Sequence, residues 1–208
     1  MRSKEIDSPY FGVDPSDWAM VTRRLLSEHP LSGPTLVETV LSSWASLFHS
    51  TLGSGFRIGR EMFPVPQIMG FFLHALIPLE LAKSKGGWRI DAHASEKDLV
   101  CDADPRFSME IKTSSHASQI FGNRSFGVPN SSSGKKAKDG YYLAVNFGKW
   151  ESSKKSQPEI LLIRFGWLDR TDWVAQRAET GQQSSLPSAI ENNQLLTLYS
   201  SATGWRVK

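Results

Sequence analysis

Cysteine is all but missing from this chain: Cys101 is alone among 208 residues, so no intrachain disulfide can form and a reducing, cytoplasmic setting is expected. Without thiol partners, and with no zinc-like spacing among His29, His49, His74, His93 and His116, a structural zinc site is not expected either. No apolar run is long enough to span a bilayer, and the opening Met1-Arg2-Ser3-Lys4-Glu5-Ile6-Asp7 has no signal-like apolar region. Export and membrane insertion are therefore not expected, and the sequon-like Asn123-Arg124-Ser125 carries no glycosylation reading. Charge of one sign is also scarce. With 24 Lys+Arg against 21 Asp+Glu the chain is mildly basic, which permits a polyanionic partner without requiring one. Internal repeats and low-complexity segments are missing apart from Ser131-Ser132-Ser133. The glycines of Gly53-Ser54-Gly55-Phe56-Arg57-Ile58-Gly59 have the wrong spacing for a dinucleotide fingerprint and read as a loop, although their amides with Arg57 or Arg60 suit phosphate. Ser114 or Ser115 beside His116 lacks the nucleophile-elbow pattern of a serine hydrolase.

What is present is enough apolar residue, 39% of the chain, to bury one good core. A single α/β domain over residues 1–208 is expected, with a helical first third, a sheet over about 88–168 and a helix, loop and strand over about 169–208. Asp14-Pro15 starts a helix through Trp18, Val21, Leu25 and Leu26 that ends at His29-Pro30. Pro34 and the Thr35-Leu36-Val37-Glu38 capping pattern start a second, with an apolar stripe at Leu36, Val40, Leu41, Trp44 and Leu47-Phe48. A third runs from about Pro66 to Lys83, with Pro78 a point of kinking or division. These helices are expected on one face of a mixed sheet, in which 141–147 and 160–165 read as largely buried strands. After them come a short helix around Thr171 to Glu179, a polar loop at 181–185 and a strand at Leu195 to Tyr199.

The densest chemistry lies in Lys97-Asp98-Leu99-Val100 and Ser108-Met109-Glu110-Ile111-Lys112, two runs joined by a polar segment containing Asp104-Pro105. Asp-Pro there favours a turn, and a turn centred on Asp104 sets Asp98 opposite Glu110 in an antiparallel hairpin. Directly opposed Cβ atoms are roughly 4.5–5.5 Å apart, where two carboxylates repel unless a cation lies between them. Residues two apart share a strand face, so Glu110 and Lys112 point together while Met109 and Ile111 turn into a core. Two carboxylates completed by water and phosphate suit magnesium, and an ammonium beside them can position a water or stabilise developing charge. An ordinary solvated strand face can carry the same Glu-x-Lys. The opposed Asp98, the apolar alternation and the intervening turn argue against that plainer origin.

Asp98 with Glu110-Ile111-Lys112 resembles the PD-(D/E)xK nuclease signature. Glu110-Ile111-Lys112-Thr113-Ser114-Ser115 leading into Ile120-Phe121-Gly122-Asn123-Arg124-Ser125-Phe126, with Phe165-Gly166-Trp167-Leu168 and Thr180-Gly181-Gln182-Gln183, is similar to ScaI-type restriction endonucleases. Lys97 stands where the signature usually has proline. The resemblance implies a restriction-endonuclease-like core with a mixed central sheet flanked by helices. It also implies a type II enzyme cutting both strands of double-stranded DNA with Mg2+ as a homodimer. Asp98 and Glu110 would hold the metal and Lys112 would assist the water. Some relatives add an acidic residue from a helix, for which Glu38, Glu61 and Glu80 are candidates. A repair or recombination nuclease of the same fold, and a non-catalytic DNA-binding module on the same scaffold, are the alternatives.

Phosphate contacts need cations and small polar donors, while base reading needs forked donors such as Arg, Asn and Gln. Asn123 and Arg124 lead the DNA-contact candidates, followed by Ser114, Ser115, Lys135 and Lys136, with Gln182 and Gln183 suited to adenine. Each has a plainer reading: Asn123 and Ser125 can close a turn after Gly122, the lysines can belong to a solvated loop, and the glutamines to a polar turn.

Overall fold

The computed structural model describes residues 4, 7–126, 138–150, 157–178 and 180–207. Asp14 caps a one-turn 3-10 helix, Pro15–Asp17, that runs into α1 (Trp18–Glu28) and stops at His29, ahead of Pro30. Helix α2 (Gly33–His49) starts earlier than Thr35 and Glu38 suggest. Its cap is Ser32, whose hydroxyl accepts the Thr35 N–H, because Pro34 already occupies the first turn. Glu38 is exposed and has no part in that cap. A small hairpin, β1 (Thr51–Leu52) and β2 (Phe56–Arg57), turns through the Gly53-Ser54-Gly55 loop, where Gly53 and Gly55 have φ of 57° and 111°. Helix α3 (Pro66–Ser84) runs undivided through Pro78, which is buried.

Next come β3 (Trp88–Ile90), β4 (Leu99–Cys101), β5 (Met109–Ser114) and β6 (Phe121–Asn123). They are followed by β7 (Gly140–Phe147), β8 (Ile160–Leu168), β9 (Val174–Ala175) and β10 (Gln183–Ser185). Helix α4 (Ser188–Gln194), β11 (Leu195–Ser200) and β12 (Trp205–Arg206) complete the order. Seven strands form the central sheet in the order β12-β11-β8-β7-β5-β4-β3, mixed because β5 and β7 run parallel while the other pairs are antiparallel. Strands β6, β10 and β9 form a second, three-stranded sheet. Among the described residues no helix is long and apolar enough to cross a membrane.

Strand β7 is buried at every position, so both sheet faces are covered. Tyr141 and Phe147 on one face meet His29 after α1 and Trp44 of α2, with ring centroids 4.8 and 5.2 Å apart. Tyr142 faces the other way, towards Trp173 at 6.0 Å. Through the β5–β7 register, Glu110, Lys112 and Ser114 share the face of Tyr142, Ala144 and Asn146, while Met109, Ile111 and Thr113 lie on the helical face. Cys101 is buried in β4.

The C-terminal part departs from the sequence reading. The stretch from Thr171 forms a single 3-10 turn, Arg170–Asp172, closed by reciprocal capping between Asp169 and Asp172, and then extends as β9. Trp173, fully buried between Phe126 and Tyr142, draws the chain straight where local pattern suggests a helix. Gln183–Ser185 is a strand, and the helix forms later, at α4. That helix ends hard against β8: a methyl on Gly166 would fall 1.8 Å from the Gln194 carbonyl oxygen. Gly166→Ala is expected to cost about 3 kcal/mol, the upper part of the usual range for overpacking. Urea unfolding measures it, and an unchanged midpoint would mean that α4 shifts without penalty.

Candidate active site

The hairpin expected around Asp104 forms with the expected register. Leu99 pairs with Met109, and Asp104 caps a 3-10 turn, Pro105–Phe107, by accepting the Arg106 N–H. Strand pairing then stops at Asp98. In place of a ladder bond, the Asp98 Oδ2 accepts the Ile111 N–H at 2.7 Å. This side chain therefore sits in line with the sheet at the point where β4 leaves β5. On β5, the Lys112 Nζ donates to Glu110 Oε1 at 2.6 Å. Asp98 and Glu110 are only 5% and 3% exposed, so both carboxylates are largely withdrawn from water. Ionised groups in that position need nearby positive charge or hydrogen-bond donors, and Lys112 supplies both to Glu110. Its ammonium also lies 4.7 Å from the centre of the Phe126 ring. Beneath, burial and then the Glu110 and Asp139 carboxylates push the Tyr142 phenol well above its usual range; it stays neutral and donates to the Lys138 carbonyl.

A contact not anticipated from sequence comes from α3. Gly70 lets this helix approach β5 so closely that a Cβ there would lie 2.9 Å from Thr113 Oγ1. One turn on, His74 Nε2 reaches Asp98 Oδ2 at 2.9 Å. Asp98 Oδ2 is thus held from two sides, by a strand amide and a helix imidazole. His74, the partner of Asp98, and Ser114, which shares the strand face of Glu110 and Lys112, line a cleft of about 650 Å³ with Gln67, Ser115, His116, Asn123, Lys149 and Gln183, among others. A second cavity of about 730 Å³ is lined instead by Arg89, Glu96, Asp102 and Arg106. There Arg89 already pairs with Glu96 and Asp102, and Arg106 with Asp104.

Residues 8–199 match the model of the ScaI restriction endonuclease family. The chain belongs to that family. Type II restriction enzyme ScaI of Streptomyces caespitosus is 63% identical over 199 residues, an alignment that covers 96% of this chain and 88% of that enzyme. No solved structure matches the chain at a significant level.

In this member of the ScaI family the DNA-contact candidates fall into two groups. Asn123 and Gln183, sixty residues apart in sequence, are direct partners in the β6–β10 ladder, both exposed and both lining the cleft. Ser115 lines it as well, and Ser114 is buried at its floor with its hydroxyl accepting the His116 N–H. Arg124 serves the same substructure from within. Its N–H donates to the Gln182 carbonyl at 2.7 Å, and its guanidinium donates to the carbonyls of Ala178 and Gly181, each at 3.1 Å. Gln182 is exposed beside it. Lys135 and Lys136 lie outside the described residues.

Of the helix-borne acids considered, Glu38 and Glu80 line a separate cavity with Ser42 and Lys85, and Glu61 accepts the Arg57 N–H in its own loop. The side chain that α3 sets beside Asp98 is a histidine. Its sequence signal is faint: Gln67 and His74 are two polar residues seven apart on an otherwise apolar stretch, on the flank of α3 that borders the cleft.

Among the described residues no group of three or more His, Cys, Asp or Glu forms a metal cage. Magnesium does not require one, since it commonly binds through one or two carboxylates with water and substrate phosphate. The donor set of Asp98 and Glu110 fits it. Because Arg124 holds the carbonyls of Ala178, Gly181 and Gln182, Arg124→Ala is expected to speed amide hydrogen exchange at Gly181 in the DNA-free protein. Exchange at the parental rate would show that its two guanidinium contacts hold nothing in place.

Proposed function

We propose that this chain is a type II restriction endonuclease that hydrolyses one phosphodiester in each strand of duplex DNA at a specific sequence, with magnesium and as a homodimer. What supports it is the Asp98 carboxylate accepting the Ile111 N–H where β4 parts from β5, with the Glu110–Lys112 pair on the flanking residues of β5, in a chain of the ScaI family. The high identity to a type II restriction enzyme supports the same reaction class. Asp98 and Glu110 would hold the magnesium. Bound there, the ion supplies Lewis-acid polarisation of a phosphoryl oxygen and a more acidic bound water.

The chain's own groups do the rest. His74 and the Ile111 amide keep the Asp98 carboxylate in one orientation before DNA arrives, so little reorganisation is left for the reaction itself. Lys112, held by Glu110, places an ammonium on the same strand face, where it can orient the attacking water and offset charge gathering on the phosphoryl oxygens. Asn123, Gln183, Gln182, Arg124, Ser114 and Ser115 stand as the duplex-contact set. Stoichiometry supports a homodimer: with one such carboxylate pair among the described residues, two chains related by a two-fold axis would bring two centres to the two strands of a palindrome.

Digestion of a plasmid of known sequence, followed by sequencing of the ends, tests this directly. Discrete fragments with a common end sequence are expected; smears or structure-dependent nicks would point to a repair nuclease. Asp98→Ala, Glu110→Ala and Lys112→Ala should each slow cleavage by at least about 100-fold while most duplex binding survives. Parental cleavage by Glu110→Ala would refute its place at the metal. Arg124→Ala should weaken cognate binding by about 1–3 kcal/mol relative to random DNA. An equal loss on both would reassign it to phosphate.

A further inference from the structure

The loop that follows β5, residues 115–120, is held by buried polar groups that the cleavage chemistry does not use. Asn146 on β7 is fully buried, and its Nδ2 donates to the carbonyls of His116 and Gln119 at 2.9 and 3.0 Å. Arg164 on β8, 5% exposed, donates to the Ser118 carbonyl and to Asn146 Oδ1. From α4, Glu191 Oε1 accepts the Ile120 N–H at 2.9 Å and lies 3.8 Å from the Arg164 guanidinium. Burying a guanidinium and a carboxylate is a poor route to stability, since apolar side chains of similar volume often do as well or better. Here the buried charges are spent on the backbone of one short loop, whose conformation they dictate almost residue by residue.

That loop presents one side chain whose chemistry the backbone has already decided. The His116 Nδ1 accepts the N–H groups of Ser118 and Gln119, at 3.2 and 3.0 Å. Both partners are amide donors, so Nδ1 must offer a lone pair and the ring proton sits on Nε2. The residue is exposed and lines the cleft together with Ser115, Asn123 and Gln183. With Nδ1 turned to the loop, the opposite ring edge offers the cleft a single donor, held in place and without charge. An uncharged donor can serve either a phosphate or a base; fixed in place beside the base-reading candidates Asn123 and Gln183, this one suits an uncharged acceptor on a base edge. Guanine O6 and thymine O4 are such acceptors in the major groove, and purine N7 is the one that adenine and guanine share.

We propose that His116 is a specificity-determining residue whose Nε2–H donates to a purine N7 of the recognised sequence, with Asn146, Arg164 and Glu191 as the positioning residues that hold its loop. The inference rests on the restriction reading, since it needs a sequence-specific duplex in the cleft. His116→Asn separates the two jobs of the ring: the Asn side-chain oxygen can still accept the loop amides, while nothing remains at the position of Nε2. The measurement is equilibrium binding without metal, on the cognate duplex found by end sequencing, on random duplex, and on cognate duplexes in which each purine in turn is the 7-deaza analogue. His116→Asn is expected to keep the parental thermal midpoint and random-DNA affinity while losing about tenfold on the cognate duplex. One 7-deaza substitution should cost the parent a similar factor and cost His116→Asn nothing further. Cognate binding by His116→Asn at the parental level would overturn the proposal, leaving His116 as a loop cap. An equal loss on cognate and random DNA, or an undiminished 7-deaza effect in the variant, would overturn it as well. Absence of a common end sequence in the plasmid digest would bring down the restriction reading itself.

Discussion

A single backbone amide, Ile111 N–H, organises the centre of this molecule. The β4–β5 ladder ends at Leu99 and Met109, and at the next opportunity the acceptor is the Asp98 carboxylate. That exchange of a main-chain for a side-chain acceptor has two effects. It gives the Ile111 amide an acceptor where the neighbouring strand departs, and it fixes a carboxylate in line with the sheet, between its two faces. From this position Asp98 is reached by His74 from the helical face, while Glu110 and Lys112 stand on the other. A carboxylate on an unbroken strand would belong to one face only. Where the strands part, elements from both sides of the sheet can act on a common centre.

The two faces are also built for different purposes. Met109, Ile111 and Thr113 lie against the helices, and Gly70 draws α3 down onto Thr113. Glu110, Lys112 and Ser114 look towards the small β6-β10-β9 sheet, with Asn146 and Arg164 buried among them. Six residues with a period of two therefore separate a packing surface from a polar one within a single strand. The small sheet then closes the polar side: Trp173 and Phe126 cover Tyr142, while Asn123 and Gln183 reach the cleft from neighbouring strands.

Much of this was legible in the residues, and the limit follows from the range of the interactions. The Met-Glu-Ile-Lys alternation and the Asp104-Pro105 turn are local, and they specify both the register and the placing of Asp98, Glu110 and Lys112. The apolar runs of β7 and β8 and the three long helices are equally local signals. What escaped depends on distant partners. Strand β10 is three residues of Gln-Ser-Ser, a turn by composition, and it extends because β6, sixty residues earlier, offers it a ladder. Trp173 overrides the helical reading of its segment through rings from β7 and the turn after β6. His74 carries only a faint local mark, and its contact with Asp98 depends on the close packing that Gly70 admits.

The same distinction bears on how recognition can be joined to cutting in this fold. The cleft residues do not come from one loop: Ser115 and His116 follow β5 directly, Asn123 ends β6, and Gln183 opens β10. The chain from Lys112 to His116 passes from the ammonium beside Glu110 to the cleft in four residues, about 13 Å if fully extended. The 115–120 loop thus follows directly on the strand that holds Glu110 and Lys112, with no intervening linker. The rigid anchoring of that loop by Asn146, Arg164 and Glu191 therefore restrains the catalytic strand at its far end, as Asp98 restrains it at Ile111. On the roles proposed above, the groups for bases and for the phosphodiester are borne on one continuous, doubly fastened piece of backbone, a route by which a mispositioned base would be felt at the reacting phosphate without any large motion of the fold.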